Sequence, residues 1–495
     1  MIKNFKWLLF VAATFVACNN TEDETVVYIT SDGLAPTAGT ANFAKYVALG
    51  DSFAAGFSDG ALFIEAQKGA YPNILAQQFA LVGGGDFKTP FMADNTGGLL
   101  LGGNVVQGVR LYFTGTAPAP VAGAPTTEIT NKLSGAFNNL GVPGAKSFHL
   151  LAPGYGNAAG VALGTASPYF SRFASSATTT VLADALAQTP TFFSLWIGGN
   201  DVLGYALSGG DGTNPITPTG TFEGAYNALT SQLAAGGRKG VVANIPYVNT
   251  LPHFTTVPFN PVPLDAATAG QLNSAAGYGA YNAGIAQAFN FLVGNNLITK
   301  ANADAEILKR TITFKAGAGN AVVILDDKLT DLTKINPALV SMRQATAEDL
   351  LVLPASAFIG TTVGGNAQRI NGVSVPLADK WVLSKDEILE LKTATDAYNG
   401  IISAAATANN LAIVDAKSLM TQLSTTGITA NNFKLTTAFA TGGAFSLDGF
   451  HPSPRGYALI ANEFIKVINA KYGSNLKGVD LGNYRILFPA NPLAF

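Results

Sequence analysis

Short apolar runs recur along the chain, and each ends in glycine and polar residues. Tyr46-Val47-Ala48-Leu49 runs into Gly50-Asp51-Ser52, and Phe192 to Ile197 runs into Gly198-Gly199-Asn200-Asp201. Runs this short, bounded by turn residues, predict buried strands rather than helices. Between them the period changes. Phe222, Ala225, Leu229 and Leu233 fall on one helical face, with Gly236-Gly237 as the stop, ahead of a further strand at Val241-Val242-Ala243. Ser384-Lys385-Asp386-Glu387 is a capping box, in which hydroxyl and carboxylate satisfy free backbone N–H groups reciprocally. It opens a helix with Ile388, Leu391, Tyr398, Ile402 and Ala405 near one face, followed by a buried strand from Leu411 to Val414. Pro454 suits the first helical position, where no N–H is needed. Tyr457, Ile460, Ala461, Phe464 and Ile468 then form an apolar stripe that Gly473 terminates. Strands alternating with amphipathic helices predict an α/β fold with a mainly parallel central sheet. In such sheets ligands bind at the carboxyl ends of the strands. Gly50-Asp51-Ser52 and Gly198 to Asp201 both fall there.

Two stretches break the pattern. Residues 251–380 carry Pro252, Pro258, Pro261 and Pro263 close together, one helix candidate around Tyr281 to Val293 and one strand candidate, Val322 to Leu325. This stretch reads as a large insertion into a domain formed by residues 44–250 and 381–475, with 476–495 as a C-terminal extension. The region from Gly84 to Asn131 is irregular and rich in Gly, Ala, Pro and Thr.

The first residues follow a different logic. Lys3 and Lys6 precede an apolar segment from Trp7 to Ala17. It is too short to span a bilayer, which takes ~20 residues. Residues 1–17 therefore read as a signal peptide. The segment ends in Val16-Ala17-Cys18, which resembles the lipobox of bacterial lipoproteins, although Phe15 departs from the usual aliphatic residue. The resemblance implies lipidation of Cys18, a membrane contact made only through that anchor, and an exported, outer-membrane or cell-surface protein. Residues 18–43, polar and rich in Thr, Gly and Ala, are expected to form a flexible tether. Glu22, Asp23 and Glu24 within it resemble an acidic surface-export signal.

Composition removes several classes of function. The chain is 48% hydrophobic and 12% charged, which suits a sizeable core. A net charge of −2 without a basic stripe argues against a nucleic-acid partner. The three histidines, at 149, 253 and 451, are scattered, and there is one cysteine. That is too few clustered ligands for a zinc site, and no disulfide can form within the chain. There is no G-x-S-x-G elbow and no P-loop. Lys315-Ala316-Gly317-Ala318-Gly319 suggests a nucleotide loop, but Val322 takes the place of the third glycine. Asp326-Asp327 reads as a solvated turn.

Four segments carry candidate chemistry. Gly50-Asp51-Ser52-Phe53-Ala54-Ala55-Gly56 fits G-D-S-x-x-x-G. Asn139-Leu140-Gly141-Val142-Pro143-Gly144-Ala145 follows, then Gly198-Gly199-Asn200-Asp201 as G-x-N-D, and Asp448-Gly449-Phe450-His451-Pro452 as D-x-x-H. Singly, each has a bland explanation: a turn, a strand-end cap or a helix entry. Together and in this order they resemble the blocks of the SGNH/GDSL hydrolase family, across most of the chain beyond residue 43. The resemblance implies a three-layer α/β/α, flavodoxin-like fold and hydrolysis of carboxylic esters without metal or cofactor. A serine hydroxyl becomes a nucleophile only when a base removes its proton, and histidine titrates in the range that task needs. Ser52 would be the nucleophile, His451 the base, and Asp448 the group that fixes the imidazole tautomer. The resemblance further implies an oxyanion hole from the Ser52 and Gly144 backbone N–H groups and the Asn200 amide. Asp415, at a strand end, is the rival to Asp448. Asp51 is expected to organise the nucleophile loop, and His149 and His253 to be structural or surface residues. The partner would be an ester substrate: a lipid, an acetylated glycan or another acyl ester. The alternative from another class is a catalytically silent surface protein holding a glycan or lipid on the same fold, which an inserted plug or a displaced His451 would favour.

Overall fold

The computed structural model describes residues 25, 26 and 28–494. Cys18 and the expected signal peptide, 1–17, lie outside the described residues. Five strands form one parallel sheet: β1 Tyr46–Gly50, β2 Asn139–Gly141, β3 Phe192–Trp196, β4 Lys239–Ala243 and β5 Ala412–Val414. Their spatial order is β2-β1-β3-β4-β5, that of flavodoxin-like doubly wound sheets. The register runs Tyr46 opposite Phe192 to Gly50 opposite Trp196, and Ala48 opposite Asn139 to Gly50 opposite Gly141. Both faces of β1 are buried along its length, as expected for a central parallel strand.

The helices follow the amphipathic patterns. Helix 454–472 packs with helix 71–80 on the sheet face that carries Phe192 and Trp196, where Tyr71 stacks on Phe464 at 4.7 Å between ring centroids. Helix 219–234 pairs with helix 385–408 through the stacked rings of Phe222 and Tyr398, 4.0 Å apart. Such an aromatic pair contributes ~0.5–1.5 kcal/mol beyond its buried area. The capping box forms, with Glu387 accepting from the Ser384 N–H and the Ser384 hydroxyl accepting from that of Glu387.

The segment 251–380 contains helices Tyr278–Gly294 and Lys300–Arg310 and several short antiparallel strand pairs. Its apolar residues, Ile285, Phe289 and Val322 among them, belong to the same core as the central sheet. Arg343 holds Asp326 and Asp349 in a buried ion cluster, with contacts of 2.6 Å, so Asp326 is an ion-pair partner rather than part of a solvated turn. The Gly317–Asn320 stretch is a strand paired with Val262–Leu264.

The expected flexible tether over 18–43 is corrected from residue 28 onward. Tyr28 is buried and donates to Glu463 at 2.7 Å, Asp32 pairs with Lys477, and Phe43 lies in the core against Phe79 and Phe192. A few aromatic anchors outweigh the polar composition around them. The region 84–131, expected to be irregular, contains two hairpins, Leu99–Leu101 with Asn104–Gln107 and Leu111–Phe113 with Pro118–Pro120. The C-terminal extension is anchored by Leu481, Phe488 and contacts of Arg455 to the Leu481 and Tyr484 carbonyls.

Candidate active site

The strand order reverses at β1, the topological switch point where a doubly wound sheet opens a crevice. Ser52 follows β1 directly and Asn200 follows β3, so both motifs open on that crevice. Asp51 caps the four-residue helix Ser52–Ala55, accepting from the Phe53 N–H at 3.0 Å. The cap fixes the turn that presents Ser52. Ser52 as a residue is 8% exposed, so the nucleophile candidate sits in a largely closed site.

His451 arrives from the other end of the chain. The turn 448–451 leads straight into helix 454–472, whose cap is Ser453, accepting from the Gly456 N–H at 3.0 Å. Gly449 sits at φ 75°, and a Cβ there would come within 2.9 Å of the His253 nitrogen. Only glycine lets the turn pass under the start of the 251–380 segment. His253 N–H donates to the Gly449 carbonyl, and the His253 ring stacks on Phe450 at 3.9 Å.

Ser52 Oγ lies 2.8 Å from His451 Nε2, and His451 Nδ1 lies 2.8 Å from Asp448 Oδ2. Asp448 accepts from four further donors. Its Oδ1 takes the N–H groups of Phe450 and His451 at 2.9 Å and the Ser446 hydroxyl at 3.0 Å, and its Oδ2 takes the Gly60 N–H at 2.9 Å. Burial alone would raise this carboxyl. The neighbouring His451 and the hydrogen bonds from His451 and Phe450 overcome that and hold it well below the usual carboxylate range. The carboxylate therefore stays charged beside the imidazole. Asp415, the rival partner, is elsewhere: it caps helix 416–425 and bonds Asn244 at 2.8 Å.

Asn200 Nδ2 donates to the Ala145 carbonyl at 3.1 Å and stands 3.4 Å from Asp51 Oδ2. The longer contact is beyond a well-formed hydrogen bond, so the second amide hydrogen is only loosely engaged. Gly144 adopts φ 79°, a left-handed backbone that favours glycine, and a Cβ there would meet open space. Among the described residues, the backbone N–H groups of Ser52 and Gly144 have no protein acceptor. Burial pushes the Asp51 carboxyl up to about 7 against the pull of the Phe53 N–H and His451.

The GDSL-like Lipase/Acylhydrolase family matches the chain over residues 46–464. The chain belongs to the GDSL-like lipase/acylhydrolase family. No curated protein and no solved structure matches it. Membership carries the α/β fold of the SGNH hydrolases and, at the level of class, ester hydrolysis. In this GDSL-family chain the crevice beside Ser52 and His451 has Trp196, Leu203, Ile245, Val248 and Phe450 among its walls.

Several supporting residues escaped the sequence reading. Gly60 and Ser446 brace Asp448 and Phe57 lies 4.6 Å from the His451 ring, while His253, expected to be a structural or surface residue, clamps the turn. Gly60 and Phe57 carry no local mark, since their partners lie at the far end of the chain, and the Ser446–Asp448 contact, though only two residues apart, belongs to no motif. His149 accepts from the Lys146 N–H at 3.1 Å and stacks on Tyr155. Burial lowers His149 and His253 to about 4, so both are neutral structural residues.

Proposed function

We propose that the protein is a serine carboxylic-ester hydrolase that works through an acyl-serine intermediate, on a three-layer flavodoxin-like scaffold. The observation that carries this reading is the Ser52–His451–Asp448 chain of two 2.8 Å contacts. His451 Nε2 takes the Ser52 proton as Oγ attacks the ester carbonyl carbon, and the carbonyl oxygen becomes an oxyanion. The N–H groups of Ser52 and Gly144 and the Asn200 amide are the donors assigned to that charge. The tetrahedral intermediate collapses, the ester C–O bond breaks, and the alcohol leaves with the proton from His451. Water then attacks the acyl-serine with His451 again as base, and the carboxylic acid departs as Ser52 regains its proton. Asp448 stays ionised and stabilises the imidazolium. The silent binding-protein reading required His451 drawn away from Ser52 or a plugged crevice, and neither observation supports it.

The test is turnover of nitrophenyl esters by wild type beside Ser52→Ala. Wild-type hydrolysis that falls to background in the variant supports the reading; equal rates from two folded proteins overturn it. We further read the chain as exported and anchored through a lipidated Cys18 to the outer membrane or cell surface. Support comes from the lipobox-like Val16-Ala17-Cys18 behind its apolar segment. Loss of labelled fatty-acid incorporation in Cys18→Ser checks it.

A further inference from the structure

The turn that follows the nucleophile helix closes on itself between Ser58 and Ala61, which exchange backbone hydrogen bonds at 3.1 Å. Four hydrogen bonds join it to the turn that carries Asp448 and His451. Ser58 Oγ donates to the Pro452 carbonyl at 3.2 Å, the Asp59 N–H to Ser446 Oγ at 3.0 Å and the Gly60 N–H to Asp448 Oδ2 at 2.9 Å, while Asp59 Oδ1 accepts from the Leu447 N–H at 2.9 Å. The Ser446 hydroxyl carries the chain onward, donating to Asp448 Oδ1 at 3.0 Å. Asp59 thus holds both residues that precede Asp448, one through its N–H and one through its carboxylate. The hairpins of the 84–131 region fix this turn from its other side. The Leu111 N–H donates to the Asp59 carbonyl at 2.8 Å, and Gln107 Nε2 to the Gly60 carbonyl at 3.0 Å.

Asp59 is a costly residue to keep at this place. It is 1% exposed, its Oδ2 is buried without a hydrogen-bond partner, and its backbone is left-handed at φ 51°. Burying a carboxylate with an oxygen left over lowers stability, and a left-handed backbone is uncommon in any residue with a Cβ. Features of this kind persist where the surrounding structure over-determines them, and they cluster at functional sites. What the carboxylate supplies is an acceptor for the Leu447 N–H, one residue ahead of Asp448.

We propose that Asp59 is a positioning residue for the hydrolysis, and that the turn 58–61, backed by the 84–131 hairpins, clamps Asp448 in the orientation that aligns His451 with Ser52. The inference rests on the ester-hydrolase reading and adds a residue to its machinery. Without the carboxylate, Asp448 keeps its local bonds from Phe450 and His451, but the segment leading into it loses its tie at Leu447. A misplacement of about 1 Å in such a constellation costs up to about 10²-fold in rate. The turn is not among the crevice walls, so the loss falls on kcat and spares KM.

The experiment measures kcat and KM on nitrophenyl butyrate for wild type, Asp59→Gly and Asp59→Asn, with a melt of each sample. Glycine adopts the left-handed backbone freely and keeps the backbone bonds of the turn, so only the carboxylate is removed. Asp59→Gly should lower kcat about ten- to hundredfold with KM within about twofold of wild type. Asp59→Asn, whose amide oxygen still accepts from the Leu447 N–H, should restore kcat to within about threefold of wild type. A folded Asp59→Gly protein with wild-type kcat overturns the proposal. So does a folded Asp59→Asn protein as slow as the glycine variant. If Asp59→Gly does not fold, Ser446→Ala decides, because it cuts the link between the Asp59 N–H and Asp448: a fall in kcat of about tenfold or more supports the clamp, and wild-type kcat overturns it. A folded wild type that turns over no ester and takes up no fluorophosphonate overturns the ester-hydrolase reading itself, and this inference with it.

Discussion

Exchanging Asp448 for Asn keeps the shape of the side chain and turns one acceptor oxygen into a donor. At present Oδ1 faces three donors, the N–H groups of Phe450 and His451 and the Ser446 hydroxyl, while Oδ2 faces two, the Gly60 N–H and His451 Nδ1. An amide nitrogen at the Oδ1 position would meet three donors. At the Oδ2 position it meets Gly60 and an imidazole nitrogen that becomes an acceptor once its proton moves to Nε2. The second orientation wins, and it places a proton on the nitrogen 2.8 Å from Ser52 Oγ. His451 can then no longer accept the serine proton. A wrong-tautomer histidine costs about 10⁴-fold in kcat, or about 5.5 kcal/mol of barrier. The unpaired Gly60 N–H adds a stability loss of about 1–3 kcal/mol. The assay is kcat and KM on nitrophenyl butyrate near pH 8, with a circular-dichroism melt of the same sample. A folded Asp448→Asn protein whose kcat stays within tenfold of wild type would refute this reasoning.

Asn200→Ala removes one donor assigned to the oxyanion. Steady-state kinetics should show kcat lower by about 10²–10³ with little change in KM; an effect confined to KM contradicts the assignment. Burial raises the carboxyls of Asp51, Asp59 and Glu387 each to about 7. The native chain holds protons there that the unfolded chain loses above pH ~4, so this stability is full in acid and is lost as pH rises through 7. Asp448 has the opposite sign, and its contribution is already complete above about pH 5. His149 and His253, lowered to about 4, add stability only up to about pH 6.5. The melting temperature should therefore fall between pH 6.5 and 8, and scanning fluorimetry showing a rise would contradict it. Asp59 accepts from the Leu447 N–H through Oδ1 while its Oδ2 is buried without a hydrogen-bond partner. Asp59→Asn keeps the first bond and removes the charge, so it should gain about 1–3 kcal/mol at pH 8 and flatten the fall; equal or lower stability at pH 8 counts against the cause given.

The sheet was legible wherever a strand was an apolar run closed by glycine, asparagine or aspartate, as at β1, β3, β4 and β5. β2 escaped because Asn139–Gly141 is three residues long and opens on a polar one, too short for any period to show. The helices at 385 and 454 were legible because their caps are local: Ser384 with Glu387, and Ser453 ahead of Pro454. The segment 28–43 misled because linker-like composition hides two anchors, Tyr28 and Phe43. At the site, Ser52, Asn200, Asp448 and His451 sit in motifs whose spacing is itself local. Gly60 and His253 reach Asp448 and Gly449 through contacts that only the closed fold creates.

The central claim is that Ser52 is a nucleophile activated by His451, and covalent labelling tests it most directly. The purified protein is incubated with a fluorophosphonate and its intact and peptide masses are measured. One adduct per chain, mapped to Ser52, absent from Ser52→Ala and far slower to form in His451→Ala, is the predicted result. A folded protein that takes up no label, or takes it up at another residue, contradicts the claim.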